Sequence, residues 1–526
     1  MSVTPARGCG PRARRDTDTM NIAADTTLRD VWEELARTRA DHVFLVHEDP
    51  DGRVESFTYG EFATRIVRAA NLMRALGVEP GERVGVHLNN SPQQLECLFA
   101  LAFVGAVNVP LHPRNTAAEC AEVLGRVGAR LVVSERGVRP ASGYPTGVRE
   151  LVARDPSHRD SYDAARDRQP DELVERLALS CFDPVGIVFT SGSTAQPKGV
   201  VLTHANLVFS GRFVHWQASM TPLDRILTTM PACHVNFELN ALMPVLTAGA
   251  TLIVVERYSA RRFWQQVRHH EATVIQSMST IVRTMLLQPV EAHERDHRVR
   301  ENLYYLPIRD EEKERFEQRF GVGFLNSYGA SETLVGVLTD PPTGERRWPS
   351  VGRVGPGYEA RIAGPEGNTV NPGVHGEIEI WGVPGRTLML GYYEAPEATA
   401  AAYTADGWFR TGDVGWVDED GWFYFIDRFT HFIKRAGENV SPGEVEAVLA
   451  AHPLVAEAAV IGVPDEIHDE AVKAFVVPVP GAHLTVQEIH RHCAGRLAGF
   501  KVPTQIEIVA VLPHTSTFKV AKRDLS

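Results

Sequence analysis

A layered α/β fold, with a large N-terminal domain and a smaller α+β C-terminal domain, is predicted by three observations. Strand-length apolar runs alternate with helical periodicity over roughly the first 400 residues. The texture changes near residue 428, and 526 residues are too many for one ordinary core.

Each element has a local reason. Thr58 and Glu61 have capping-box spacing, apolar residues recur at Phe62, Ile66, Ala69, Met73 and Leu76, and Gly77 offers a C-terminal stop, so this stretch is predicted as a helix. Arg83 to Leu88 reads as a strand, Leu95 to Val104 as a helix and Val107 to Pro110 as the next strand, so largely parallel strands are expected. Beyond residue 428, a helix from Gly443, strands at Val455 to Val463 and Ala471 to Val479, and a helix over Val486 to Leu497 make a compact unit of roughly a hundred residues. The expected division is a disordered tail over 1–20, an N-terminal domain over 21–427 and a mobile lid over 428–526. Met20 offers an alternative start.

Composition narrows the function classes. A net charge of -12 leaves no basic face for a phosphate backbone, so nucleic acid is not an expected partner. No run of apolar residues is long enough to span a bilayer. The six cysteines are scattered without CxxC pairing, which points to a reducing cytoplasm rather than to a disulfide framework or a zinc site.

The most informative segment is the loop Thr190-Ser-Gly-Ser-Thr-Ala-Gln-Pro-Lys-Gly199, which follows the strand-like run Val185 to Phe189. Backbone N–H groups and hydroxyls of such a loop can wrap phosphate oxygens, and Lys198 adds a point charge. Lys198 is followed by Gly199 and a strand-like run, not by Ser or Thr opening a helix, so this is not a P-loop of the Walker type.

In its order of residues the loop resembles that of the superfamily of acyl-CoA synthetases, nonribosomal-peptide adenylation domains and luciferases. Five further blocks carry the resemblance: Ser327 to Glu332 (SYGASE), Thr411 to Asp413 (TGD), Asp427-Arg428, Lys434 to Asn439 (KRAGEN) and Pro513 to Lys519 (PHTSTFK). Within the superfamily, Tyr304 to Ile308 (YYLPI) and Arg346 to Arg353 (RRWPSVGR) look most like bacterial crotonobetaine/carnitine-CoA ligases.

The resemblance implies roles that chemistry supports. ATP and an acid are both anions, and Lys519, resembling the family's catalytic lysine, screens their approach. Glu332 would hold Mg²⁺ against the phosphates, as a hard carboxylate can. Asp413 would accept from both ribose hydroxyls. Thr190, Ser191, Gly192, Ser193, Thr194 and Lys198 would hold pyrophosphate. Tyr328, Ser331, Arg428 and Lys434 would complete the nucleotide site. His234 matches the position where many relatives place a histidine beside the acyl group, and Asn236, Phe237 and Glu238 after it are expected to face the substrate.

Three positions depart from the family pattern. Ala436 replaces a hairpin glycine, Phe518 replaces the glycine before the lysine, and Thr430 occupies the hinge position. A Cβ at Ala436 is expected to narrow the acceptor path or to require negative φ. The implied function is an ATP-dependent ligase that activates a small carboxylic acid as acyl-AMP and transfers it to CoA. The alternative is a non-thiol acceptor, including an aryl amine attacking activated nitrite in an ATP-dependent diazotisation.

Overall fold

Six parallel strands run through the middle of a nine-stranded sheet, in the order Phe324–Tyr328, Glu301–Tyr305, Val274–Met278, Arg225–Thr228, Thr251–Val255 and Val43–Glu48. Their residues are almost all buried, as continuous apolar runs covered on both faces must be. The computed structural model describes residues 25–526 apart from 191–196, 306–307, 309, 335, 429–432, 441, 514–519, 521, 523–524 and 526, and only the backbone of Asp427, Arg428 and Asn439.

A seven-stranded sheet lies beside the first. Five of its strands, including Arg83–His87 and Val107–Pro110, are parallel; at one edge Pro184–Thr190, Lys198–Thr203 and Gly391–Tyr392 pair antiparallel. The helix Pro92–Phe103 is apolar nearly all round and buried along almost its whole length, so it belongs inside the layers rather than on their surface. Ser91 caps it by accepting from the Gln94 N–H at 3.3 Å. The helix Tyr59–Ala75 begins with the expected capping box, Thr58 N–H donating to Glu61 at 2.8 Å and Glu61 N–H to Thr58 at 3.2 Å.

Beyond these two sheets the strands are mostly antiparallel, the described exception being Asp469–Pro478 with Gln505–Ile508. Glu359–Ala363, Gly376–Trp381, Phe409–Val417 and Phe423–Arg428 form a wholly antiparallel sheet; its longest connection, 382–408, carries the edge strand Gly391–Tyr392 and the helix Pro396–Ala401. The next described strand, Ile433–Arg435, belongs to a C-terminal sheet with Glu438–Val440, Asp469–Pro478, Val455–Asp465 and Gln505–Ile508. That sheet has its own core of Ile433, Val445, Leu449, Val472 and Ile489, under the helices Pro442–Ala450 and Val486–Ala494. The last helix stops at Ala494, short of Leu497. Among the described residues no helix is long and apolar enough to cross a membrane.

Candidate active site

Strand ends bring the first group together. Tyr328 ends its strand, and its hydroxyl donates to Asp413 Oδ2 at 2.6 Å. Asp413 is held by what precedes it: Thr411 Oγ1 donates to the Ile378 carbonyl, Gly412 takes φ +72° and gives its N–H to Glu377, and the Asp413 N–H returns to Thr411 Oγ1. The left-handed turn at Gly412, costly with a Cβ, aims a buried carboxylate back at Tyr328. Arg428 lies directly opposite Asp413 in the strand register. The Phe425 ring lies 5.9 Å from that of Tyr328, and Lys434 Nζ, from the C-terminal hairpin, sits 5.0 Å over Phe425.

The second group is built on the seven-stranded edge. Tyr392 pairs with Val200, which places its ring 4.8 Å from Lys198 Nζ and lets its hydroxyl donate to Glu332 Oε1 at 2.8 Å. Glu332 occupies a single 3-10 turn, Ser331–Thr333, pinned by the Ala330 N–H on Thr333 Oγ1, by the Tyr358 hydroxyl on the Thr333 carbonyl and by the Met389 N–H on the Glu332 carbonyl. Phosphate-loop lysine and candidate metal ligand are thus joined through one aromatic ring.

A cleft of about 170 Å³ lies between the N-terminal domain and the C-terminal domain, reaching Ser331 and Thr190 beside the second group. Thr190, Ser331 and His234 line one side of it, and Glu438, Phe500 and Lys501 the other. The His234 side chain is 43% exposed, 3.9 Å from Glu438 Oε2, so it is a cleft residue rather than a packed core histidine. Burial alone would raise the Glu438 pKa, but His112, His234 and Arg114 hold it down at about 2. Lys501 bridges Glu119 of the N-terminal domain at 3.2 Å and Glu444 of the C-terminal domain at 2.8 Å.

Two expectations are corrected. Asn236, Phe237 and Glu238 do not line the cleft: in the short helix Val235–Phe237 and the π-helix Glu238–Leu242 that follows, Phe237 and Glu238 are buried and Asn236 is half-buried. Phe237 joins the main apolar cluster, and Asn236 Oδ1 accepts from Asn240 and Gln276. Glu238 is buried, Oε1 has no hydrogen-bond partner, and burial pushes its pKa up to about 8. Nor does Ala436 require negative φ. It sits at +54°, followed by Gly437 at +81°, so the hairpin keeps the glycine conformation with an alanine and carries the strain.

The candidate residues Ser191, Gly192, Ser193, Thr194 and Lys519, and the departures Thr430 and Phe518, lie outside the described residues. Sequence reasoning missed Tyr392, His112 and Glu438. Glu438 stood inside a quoted motif without a role. Tyr392 follows a glycine in Gly391-Tyr-Tyr393 and had no other signal, and nothing adjacent marks His112.

A mid-strand carboxylate facing a strand-end tyrosine, a hydroxyl-rich sequence loop with its lysine, and a second domain across the cleft define a nucleotide-using, adenylate-forming enzyme. Family models for "AMP-binding enzyme" and "AMP-binding enzyme C-terminal domain" match residues 32–393 and 444–519, and the chain belongs to the AMP-binding enzyme family as an AMP-forming acid ligase. A crotonobetaine/carnitine–CoA ligase of Salmonella agona is 41% identical over 516 residues, covering 96% of this chain and all of that protein. The o-succinylbenzoate CoA synthetase of Bacillus subtilis, as a double mutant with the product analogue OSB-NCoA, matches at TM-score 0.84 and 25% identity, covering 96% of this chain and 99% of that one. The same synthetase in complex with AMP matches at only 0.69, again at 25% identity, covering 96% and 98%. These comparisons give no support to the diazotisation alternative.

Proposed function

We propose that the chain joins a small carboxylic acid to AMP, releases pyrophosphate and then transfers the acyl group to the thiol of CoA. One observation carries the choice of acceptor. The chain fits the CoA-analogue complex of the Bacillus synthetase better than its AMP complex, and here the hairpin Ile433–Val440 sits over the cleft beside His234.

The residue roles follow from position. Asp413, turned toward Tyr328, offers two oxygens to a ribose diol, and the Tyr328 and Phe425 rings offer a face to the base. Thr190 to Thr194 and Lys198 hold the departing pyrophosphate, and Ser331, Arg428 and Lys434 border the nucleotide. His234 bounds the acyl group where the cleft meets the second domain. Lys519 stabilises charge at the attacked phosphorus during the first step.

Glu332 is the candidate Mg²⁺ ligand. Among the described residues no cluster of three His, Cys, Asp or Glu could cage a metal. A lone carboxylate beside a phosphate loop nevertheless suits Mg²⁺, which keeps waters and takes the rest of its shell from substrate phosphates. Bound there, the ion would neutralise phosphate charge, while Tyr392 keeps the Glu332 carboxylate in one orientation.

We place the division at residues 427 and 428, where the antiparallel sheet gives way to the C-terminal one, with 428–526 as a lid serving both half-reactions. A reducing cytoplasm remains the compartment that scattered, unpaired cysteines suit. The test is mass spectrometry of wild-type protein with ATP, Mg²⁺, CoA and a panel of small acids. AMP and an acyl-CoA are expected for at least one acid. AMP formation that never yields a thioester would overturn the acceptor.

A further inference from the structure

His112 is unlike the other contacts across the cleft. Its Nδ1 accepts the backbone N–H of Arg114 at 3.1 Å, so the neutral ring carries its proton on Nε2. That Nε2 is buried and makes no well-aligned hydrogen bond; its nearest acidic neighbour is Glu438 Oε1, in electrostatic contact at 3.3 Å. The His112 backbone is fixed in turn, because its carbonyl lies 3.0 Å from Nε2 of the buried His87, whose Nδ1 lies 2.8 Å from the Tyr144 hydroxyl. A second layer therefore aims the first.

Glu438 immediately follows the tight turn of the C-terminal hairpin. At Gly437 the added Cβ would lie 2.0 Å from Met278 Sδ, so the hairpin tip is pressed against the end of the strand Val274–Met278. Among the described residues, His234 also lies 3.9 Å from Glu438, and further polar contacts between the domains run away from the hairpin tip, through Asp469 with Ser279 and Arg283, through Glu119 with Lys501 and the Ala498 N–H, and through Thr116 with the Arg496 carbonyl. Glu438 is the hairpin's own polar anchor, and its side chain is only 17% exposed, so leaving it without a donor would be costly.

We propose that His112 is a positioning residue for the acceptor step: the 3.3 Å electrostatic contact of its Nε2 with the Glu438 carboxylate helps keep the hairpin docked over the cleft. His112 touches neither nucleotide nor acceptor in this role, and it acts only while the C-terminal domain is in the present arrangement. The inference rests on the reading that this arrangement serves acyl transfer. It also implies that the acyl-adenylate step, in which the hairpin is elsewhere, does not need His112.

The test compares His112→Ala and His112→Gln with wild type, because glutamine keeps an N–H donor and alanine does not. Two readouts are needed. In single-turnover assays with an accepted acid, His112→Ala should slow thioester formation about tenfold or more while pyrophosphate release stays within about twofold, and His112→Gln should recover most of the loss. In hydrogen exchange, which needs no acceptor, the amides of residues 433–440 should exchange about tenfold faster in His112→Ala than in wild type or His112→Gln. If wild type makes no thioester, the reading of the acceptor fails while hydrogen exchange still decides the role of His112. Equal slowing of both half-reactions, unchanged hairpin exchange in His112→Ala, or a glutamine variant no better than alanine would overturn the proposal.

Discussion

The residues proposed to hold the nucleotide and those proposed to face the acceptor are placed differently. Tyr328, Asp413, Glu332, Tyr392 and Lys198 all come from the N-terminal domain, and the hydrogen bond of 2.6 Å from Tyr328 to Asp413 and that of 2.8 Å from Tyr392 to Glu332 involve no residue of the second domain. The acceptor side is a composite: His112, His234 and Glu119 face Glu438 and Lys501 across the domain boundary. A preorganised half can bind substrate before closure. On the proposed lid movement, a composite half would form only with the domains in the present arrangement, which would let one cleft run two chemistries in sequence.

If that contrast holds, substitutions should divide by half-reaction. Lys519→Ala should show the largest effect, slowing pyrophosphate release about 10²- to 10³-fold with little change in ATP affinity, because its charge matters most as negative charge gathers in the transition state. Release within about threefold of wild type would remove Lys519 from the first step. Gly437→Leu acts on the other half. Its Cβ would meet Met278 Sδ at 2.0 Å from a backbone at φ +81°, so docking fails: thioester formation should fall about a hundredfold and pyrophosphate release should persist. Equal loss of both would contradict the division.

Glu238 sharpens the comparison through stability. Its folded pKa of about 8 lies above its ordinary 4.5, so the native state keeps a proton that the unfolded chain releases. That contribution is complete below pH 4.5 and is lost as pH rises towards 8. Between pH 5.5 and 8 wild type should lose on the order of 2 kcal/mol more unfolding free energy than Glu238→Gln. Parallel urea-unfolding profiles for the two proteins would show that Glu238 is not carried as a buried neutral acid.

Asp413→Ala should raise the ATP KM about tenfold with kcat nearly unchanged, since the ribose contact is present in ground and transition states alike. An unaltered KM would mean that the ribose is held elsewhere. The smallest effect is expected at Ala436. Replacing it with glycine relieves a left-handed alanine, partly offset by backbone entropy, and should raise stability by about 0.5 to 1 kcal/mol while thioester formation is unchanged or faster. A loss of stability would show that the methyl group makes contacts that outweigh its strain.

Local rules explain what could be read in advance. The capping box at Thr58 and Glu61, the glycine stop at Gly77 and the strands on either side of the helix Pro92–Phe103 are decided by residues near one another in sequence. The antiparallel sheet from Glu359 to Arg428 was not legible, because short strands carry no sign of their partners' direction. The Ala436 conformation was not legible either: a tertiary contact at the hairpin tip overrides a local steric preference. On the site, residues within ordered motifs could be named, whereas Tyr392 and His112 gain meaning only from partners distant in sequence. Glu238 was read as facing the substrate because it stands near His234 in sequence, but the helical turn that starts after His234 carries its side chain into the core.

Acyl-adenylate formation is the claim on which the rest depends, and oxygen tracing tests it most directly. The wild-type enzyme would be supplied with an accepted acid carrying ¹⁸O in both carboxylate oxygens, together with ATP, Mg²⁺ and CoA, and its products analysed by mass spectrometry. Attack of the carboxylate on the α-phosphorus predicts one labelled oxygen in AMP, none in pyrophosphate and one retained in the thioester. Label in pyrophosphate or inorganic phosphate, or AMP without label, would contradict it.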